Sequence, residues 1–160
     1  MEIIANRRDF DNRRGSELVN FETSVRIERP IEAVFDYVSD PTTFPLWNSA
    51  VQSVRETAPG ADGVGATYLM ERDLPNGRAE NDLEVVEVNR PTLFVIRTTS
   101  GPTPFLYRYV LEDEDGATLL QLAAEVELGG IAGALGPIAS RAVKRGVDSN
   151  FADLKRILES

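Results

Sequence analysis

Residues 21–54 read FETSVRIERPIEAVFDYVSDPTTFPLWNSAVQSV, and this stretch decides the fold. Phe21, Thr23, Val25 and Ile27 alternate with Glu22, Ser24, Arg26 and Glu28, the two-residue period of a strand with one buried face. Val19 and Asn20 extend the alternation backward. Pro30 stops the strand and suits the first turn of a helix, where a missing N–H costs nothing. Ile31, Val34, Phe35 and Val38 then fall at helical spacing. That helix ends before Pro41, because the residue preceding a proline is pushed out of helical geometry. The remainder, PTTFPLW, has length for a turn or two of helix. This short, broken segment collects Phe35, Tyr37, Phe44 and Trp47, the single tryptophan of the chain. Such aromatic area is spent where a regular element has little use for it, which points to a ligand; the alternative, the stronger one for Phe35, is that Phe35 and Trp47 simply pack the short helices onto the sheet.

Downstream the two-residue period returns. Strands are predicted at 50–57, 66–73, 81–88, 92–100, 105–112 and 117–128. The connections between them are short and turn-like: PGADGVG at 59–65, the hairpin dipeptide Asn76-Gly77, NRP at 89–91, GPTP at 101–104 and DEDG at 113–116. Neighbours one short turn apart pair antiparallel. After the small-residue stretch GGIAGALG at 129–136, Pro137 opens a long amphipathic helix. Val143, Val147, Phe151, Leu154 and Leu158 form its apolar stripe, with Arg141, Arg145, Asp148 and Arg156 opposite. The expected fold is α+β: one curved antiparallel sheet of about seven strands wrapped around the C-terminal helix, with two short helices after the first strand. Residues 18–160 form a single domain. Residues 1–17, with Arg7, Arg8, Arg13 and Arg14 in pairs, read as an arm, either flexible or engaging a partner such as a second copy.

Composition narrows the chemistry. The 160 residues carry 26 acidic and 17 basic side chains, a net charge of −9, which repels a phosphate backbone, so nucleic acid is not an expected partner. Histidine and cysteine are both absent. Zinc and copper lose their usual ligands, and Ser-His-Asp and Cys-His pairs are ruled out. No metal and no cofactor is expected, and proton chemistry would fall to carboxylates, Tyr, Lys or Arg-polarised groups. No apolar run reaches the ~18 residues of a membrane span. The opening MEIIANRRDFDNRRG lacks the apolar core of a secretory leader. The expected location is the cytoplasm, as a monomer or homodimer.

The helix also suggests a cavity. Its later residues Phe151, Leu154, Ile157 and Leu158 are bulky, whereas its front carries Gly136, Ala139, Ser140 and Val143, with Gly146 at the flank. Cores are close-packed, so a one-sided shortage of volume leaves room for a guest. Charge placement assigns the sheet face: Phe94, Ile96 and Thr98 inward; Tyr107, Tyr109 and Leu111 inward; Leu120, Leu122, Ala124, Val126 and Leu128 inward. On the strand at 66–73, Tyr68, Met70 and Arg72 share the inward face. Polar groups within reach of a ligand are then Tyr68, Arg72, Thr98, Tyr107, Tyr109, Ser140 and Asn150. Arg72 reads either as a solvated charge at a strand end or as a group that polarises a ligand carbonyl. The tyrosines read as wall residues or proton relays, and Asn150 as a backbone tie or a ligand contact.

The quoted stretch is similar to the opening of the START-related, pollen-allergen-like helix-grip superfamily (SRPBCC), in particular its polyketide cyclase/dehydrase and lipid-transport branch. The resemblance rests on the strand, the RP before a helix containing VFDYVSDP, and the Trp a few residues on. GVGATY entering a strand, VVEVNRPTLF across a hairpin and EDGATLLQLAAEVEL before the last helix continue it, over about residues 18–160. It implies the helix-grip fold and an apolar or aromatic small molecule between sheet and helix. The expected function is therefore binding of a hydrophobic or aromatic small molecule or lipid, as a carrier or sequestering protein. Wall and rim would comprise Tyr37, Phe44 and Trp47 from the short helices, Tyr68, Met70, Phe94, Ile96, Thr98, Tyr107, Tyr109 and Leu122 from the sheet, and Ala139, Val143 and Asn150 from the last helix. The alternative is a polyketide cyclase/aromatase-like enzyme in which Arg72, Tyr68 or Tyr107 carries the chemistry.

Overall fold

In the computed structural model, residues 16–74, 77–129 and 136–160 are described. Seven strands are present: β1 (Ser16–Ile27), β2 (Val51–Ala58), β3 (Thr67–Leu74), β4 (Gly77–Asn89), β5 (Leu93–Ser100), β6 (Phe105–Glu114) and β7 (Ala117–Gly129). Between β1 and β2 lie helix α1 (Ile31–Val38), a 3-10 turn (Pro41–Thr43) and the single-turn helix α2 (Phe44–Trp47); α3 (Gly136–Glu159) closes the chain. The strands form one antiparallel sheet in the order β1-β7-β6-β5-β4-β3-β2. This is the α+β helix-grip architecture expected from the sequence. The predicted arm at 1–17 lies outside the described residues except for Ser16 and Glu17, which open β1.

The broken segment after β1 behaves as its prolines require. Pro30 caps α1, and its carbonyl accepts the Val34 N–H at 3.2 Å. The helix closes where Ser39 N–H donates to the Phe35 carbonyl at 2.9 Å. Asp40, extended ahead of Pro41, caps the 3-10 turn by accepting from the Thr42 N–H at 3.0 Å. α2 then delivers Phe44 and Trp47 to the core, where they are 5% and 4% exposed.

The register carries one face continuously across the sheet. Tyr68 pairs with Leu83, Leu83 with Thr98, Ile96 with Tyr107, Phe94 with Tyr109, and Tyr109 with Leu122. These side chains face α3, which presses Phe151, Leu154 and Leu158 against them. The face assignments made from charge placement, including that of Tyr68, Met70 and Arg72, are those observed. Two local departures occur. Gly77, which the Asn76-Gly77 signal puts in the turn, instead opens β4 and pairs with Leu74. A register shift between Val85 and Glu87 turns both Val85 and Val88 inward, which strict alternation forbids.

The direction of α3 follows from its contacts with β1. Asp148 accepts a hydrogen bond from the Thr23 hydroxyl at mid-strand. Farther on, Lys155 donates to the Arg26 carbonyl at 2.7 Å and the Glu28 N–H donates to Glu159 at 2.8 Å. The front of α3 therefore points toward the end of the sheet that holds the β3–β4 and β5–β6 connections. Helical spacing puts Asp148 on the solvated face; its side chain is part-exposed at the flank of the helix, where it meets Thr23 of β1.

Candidate ligand-binding site

The inner face of the sheet has two unlike ends. At one end lie the β3–β4 and β5–β6 connections, and with them Arg72. Sequence alone leaves this residue open between solvent and interior. The structure buries it to 9% exposure. Its Nε donates to Asn81 Oδ1 at 2.9 Å and its Nη2 to the Pro102 carbonyl at 2.6 Å. Asn81, fully buried, also donates to Ser100 O at 3.0 Å and Pro102 O at 2.9 Å. Gly101 makes this approach possible: it sits at φ +95°, and a Cβ there would lie 2.2 Å from the Glu80 carbonyl. The guanidinium's affinity for its proton is lowered by burial, with Tyr107 acting in the opposite direction. It stays a cation, since guanidinium has ample reserve.

From Arg72 an aromatic run crosses the interior. The Phe105 and Tyr107 rings stack with centroids 4.3 Å apart, and Tyr107 meets Tyr109 edge-on at 6.2 Å. Tyr109 continues to Phe94 at 6.1 Å and to Phe151 at 6.4 Å. Phe151 lies 6.3 Å from Trp47, which meets Phe44 edge-on at 5.4 Å. Spacings of this kind are those of mutually attractive rings. Tyr107 is half-buried against the core. Burial, partly offset by Arg72, pushes its hydroxyl up to about 12, and burial together with Tyr107 holds Tyr109 well above its ordinary value. Both phenols are therefore protonated donors at neutral pH. Among the described residues the side-chain hydrogen bonds at this end are those of Arg72, Asn81 and Thr98, and none involves either hydroxyl; the buried side-chain atoms left without a partner are Arg97 Nε and Glu127 Oε2.

At the opposite end is a recess of about 470 Å³. Phe35 and Ser39 of α1, Asp62 and Gly63 of the β2–β3 connection, and Tyr68, Val85, Val88 and Phe94 of the sheet line it, with Asn89 and Arg90 at the rim. Arg90 bridges the rim: its guanidinium lies 5.0 Å above the Phe35 ring and bonds Asp36 at 2.5 Å. The Tyr68 hydroxyl is raised by burial, then by the carboxylates of Glu56 and Asp40. The inner face thus has a cationic end at Arg72 and an acidic end around Tyr68.

The sequence-derived residues are spread over the inner face. Tyr107, Tyr109, Phe94, Phe44 and Trp47 join the aromatic run; Tyr68 and Phe94 line the recess; Met70, Ile96 and Leu122 are buried neighbours on the same face. Ala139 and Val143 are half-buried at the front of α3, and Tyr37 is half-buried against the core. Two polar candidates are occupied by backbone. Thr98 Oγ1 accepts the Phe105 N–H at 3.0 Å, and Asn150 Oδ1 accepts the Ser49 N–H at 3.3 Å. Sequence reasoning missed Phe105, although it shares the parity of Tyr107 and Tyr109 two and four residues on. It also missed the recess residues Ser39, Asp62, Val85, Val88 and Arg90; loops and the β4 bulge bring them together, and neither leaves a periodic trace.

Seven antiparallel strands gripping a C-terminal helix over a half-apolar inner face define a helix-grip protein. The chain belongs to the polyketide cyclase / dehydrase and lipid transport family, whose sequence pattern it matches over residues 19–159. Among solved structures it is similar to a START superfamily protein from Mycobacterium smegmatis, with 16% identity and TM-score 0.74 over 88% of this chain and 97% of that one. A protein from Thermus thermophilus aligns with 15% identity and TM-score 0.75 over 87% and 96%. The Zhui aromatase/cyclase from Streptomyces sp. R1128 aligns with 14% identity and TM-score 0.70 over 89% and 94%. At such identities the likeness is one of fold. Among curated proteins none matches the chain. Among the described residues no helix is long and apolar enough to cross a membrane.

Proposed function

We propose that the chain binds a planar, largely apolar small molecule between the sheet and the front half of α3, as a carrier or sequestering protein. One observation carries this reading: the aromatic run from Phe105 to Trp47 includes two tyrosines whose hydroxyls bond to no described group. Hydroxyls not engaged by the protein are available to a guest with one or two oxygens on a flat apolar body. The family's lipid-transport description supports the reading. Titration with the neutral probe 2-acetylnaphthalene, followed by Trp47 fluorescence, tests it. Saturable quenching at one equivalent is expected. A flat response, together with native mass spectra free of any co-purifying apolar molecule, would end it.

A second reading is favoured by Arg72 and Tyr107 sharing the inner face, where each acts on the other's proton affinity, and by the fold shared with the Zhui aromatase/cyclase. In an aldol-type ring closure, Arg72 would hold a ketone oxygen as it becomes an enolate, and Tyr107 would return a proton to the alkoxide formed on C–C bond closure. The initial C–H proton needs a base. A phenol raised to about 12 is not one at neutral pH, and the carboxylates acting on Tyr68 lie at the other end. Carrier function therefore ranks first. An Arg72→Ala variant that turns over a poly-β-ketone model substrate as fast as the parent would remove Arg72 from any such mechanism.

A further inference from the structure

We infer that the molecule held against this face carries a carboxylate, seated on Arg72 and Tyr107, with its flat body along Phe105 and Tyr109. This rests on the small-molecule reading above and specifies its ligand. The geometry begins with an inversion of the usual pattern. Arg26, Arg78, Arg90, Arg97 and Arg156 each contact a carboxylate, and the side chains of all five are 34–78% exposed. Arg72, at 9% exposure, has no carboxylate partner among the described residues. Buried guanidinium is rare unless compensated, because an unpaired charge loses its hydration without recovering it. Asn81 and the Pro102 carbonyl occupy two of its five N–H groups. Both are neutral, so they satisfy geometry but leave the charge.

Among the described residues none fills that need. The connections 75–76, 101–104 and 130–135 contain no Asp or Glu, while Glu2, Asp9 and Asp11 belong to the segment that leads into β1 at this end and lie outside the described residues. Glu127, buried beside the Pro104 carbonyl, makes no ion pair with Arg72. On the flanking strands, Asp73 bonds Gln52 at 2.7 Å on the exposed side, and Glu80 is exposed opposite Glu71. The compensating anion is therefore assigned to the ligand. A carboxylate fits the planar fork of the remaining N–H groups, while the Tyr107 hydroxyl offers a further donor. A phosphate dianion would meet one cation with two charges. The stacked Phe105 and Tyr107 rings favour a flat body over a flexible chain, and the carboxylates near Tyr68 at the other end set the ligand's direction.

Isothermal titration calorimetry with 2-naphthoate, its neutral isostere 2-naphthamide, and decanoate tests this. The full-length protein should bind 2-naphthoate about tenfold or more tighter than 2-naphthamide, as for a charge-assisted hydrogen bond in an enclosed site. The preference should vanish in Arg72→Gln and survive in part in Arg72→Lys, with naphthamide binding little changed in either. Arg72→Gln also loses two structural hydrogen bonds; should it fail to fold, Tyr107→Phe, whose hydroxyl bonds no described group, should lower the preference about threefold. Equal binding of acid and amide by the parent, or an unchanged preference in a folded Arg72→Gln, overturns the inference while leaving the cavity reading intact. If 2-acetylnaphthalene and both naphthyl probes fail to bind, the cavity reading itself fails. Decanoate binding tighter than 2-naphthoate would overturn the flat-body part and assign the seat to a fatty acid.

Discussion

The two halves of α3 lie over the same sheet and do different work. In the later half Phe151, Leu154 and Leu158 are 2%, 0% and 9% exposed. Backbone atoms of β1 and its extension are tied there by Lys155 and Glu159, and Arg29 Nη1 donates to the Leu158 carbonyl at 3.1 Å. In the front half Ala139, Ser140, Val143 and Val147 stay half-buried, and the helix meets β1 chiefly through Thr23 and Asp148. A helix clamped at one end and loosely covered at the other separates stability from occupancy: the first resides where side chains are large, the second where they are small.

Deleting packing atoms from each half is the strongest way to break this comparison. Leu154→Ala removes a fully buried side chain among close-packed neighbours and should cost about 2–5 kcal/mol. Val143→Ala, half-buried, should cost less than about 1 kcal/mol. Urea denaturation of the two variants checks both. Similar losses would mean that the front half is packed as tightly as the rear, and that the interior near Arg72 has no room for a guest.

That contrast was legible in the sequence, since it depends only on side-chain volume along one helical stripe. The strands were legible for the same kind of reason: Phe21 to Ile27, Phe94 to Thr98 and Phe105 to Leu111 each alternate cleanly, and a one-residue slip would bury charges. The fate of Arg72 was not legible. Its burial depends on Asn81 across the β3–β4 ladder and on a carbonyl at Pro102, brought within reach by the Gly101 turn. Pairwise periodicity carries no information about such a meeting. The recess near Tyr68 escaped for a related reason, because a β-bulge turns Val88 inward against the alternation. The aromatic run was half legible: parity aligned Tyr107 with Tyr109, but their junction with Phe151 and Trp47 is tertiary.

Filling the front half sharpens the comparison in the opposite sense. Ala139→Leu adds volume where α3 is half-buried. If the space beneath is open, stability should shift by less than about 1 kcal/mol, while affinity for 2-acetylnaphthalene falls about tenfold, the equivalent of ~1.4 kcal/mol. A large stability loss with unchanged affinity would place the ligand elsewhere, with the recess at Phe35 and Tyr68 the next site to fill.

The smallest expected effect lies at the boundary between the halves. The Asp148 carboxyl is held below its usual range chiefly by the hydrogen bond from Thr23; burial opposes this and Lys144 adds to it. A carboxyl lowered in the folded state stabilises the fold above its unfolded value of ~3.9, and the contribution fades as pH falls through the lowered native value. With the side chain 41% exposed, solvent screening keeps the effect below about 1 kcal/mol. Asp148→Asn should therefore lower the urea midpoint slightly at pH 7, and the gap from the parent should narrow as pH drops below about 4. A gap of constant size across that range would show that the charge contributes nothing, and that shape alone holds the middle of α3 against β1.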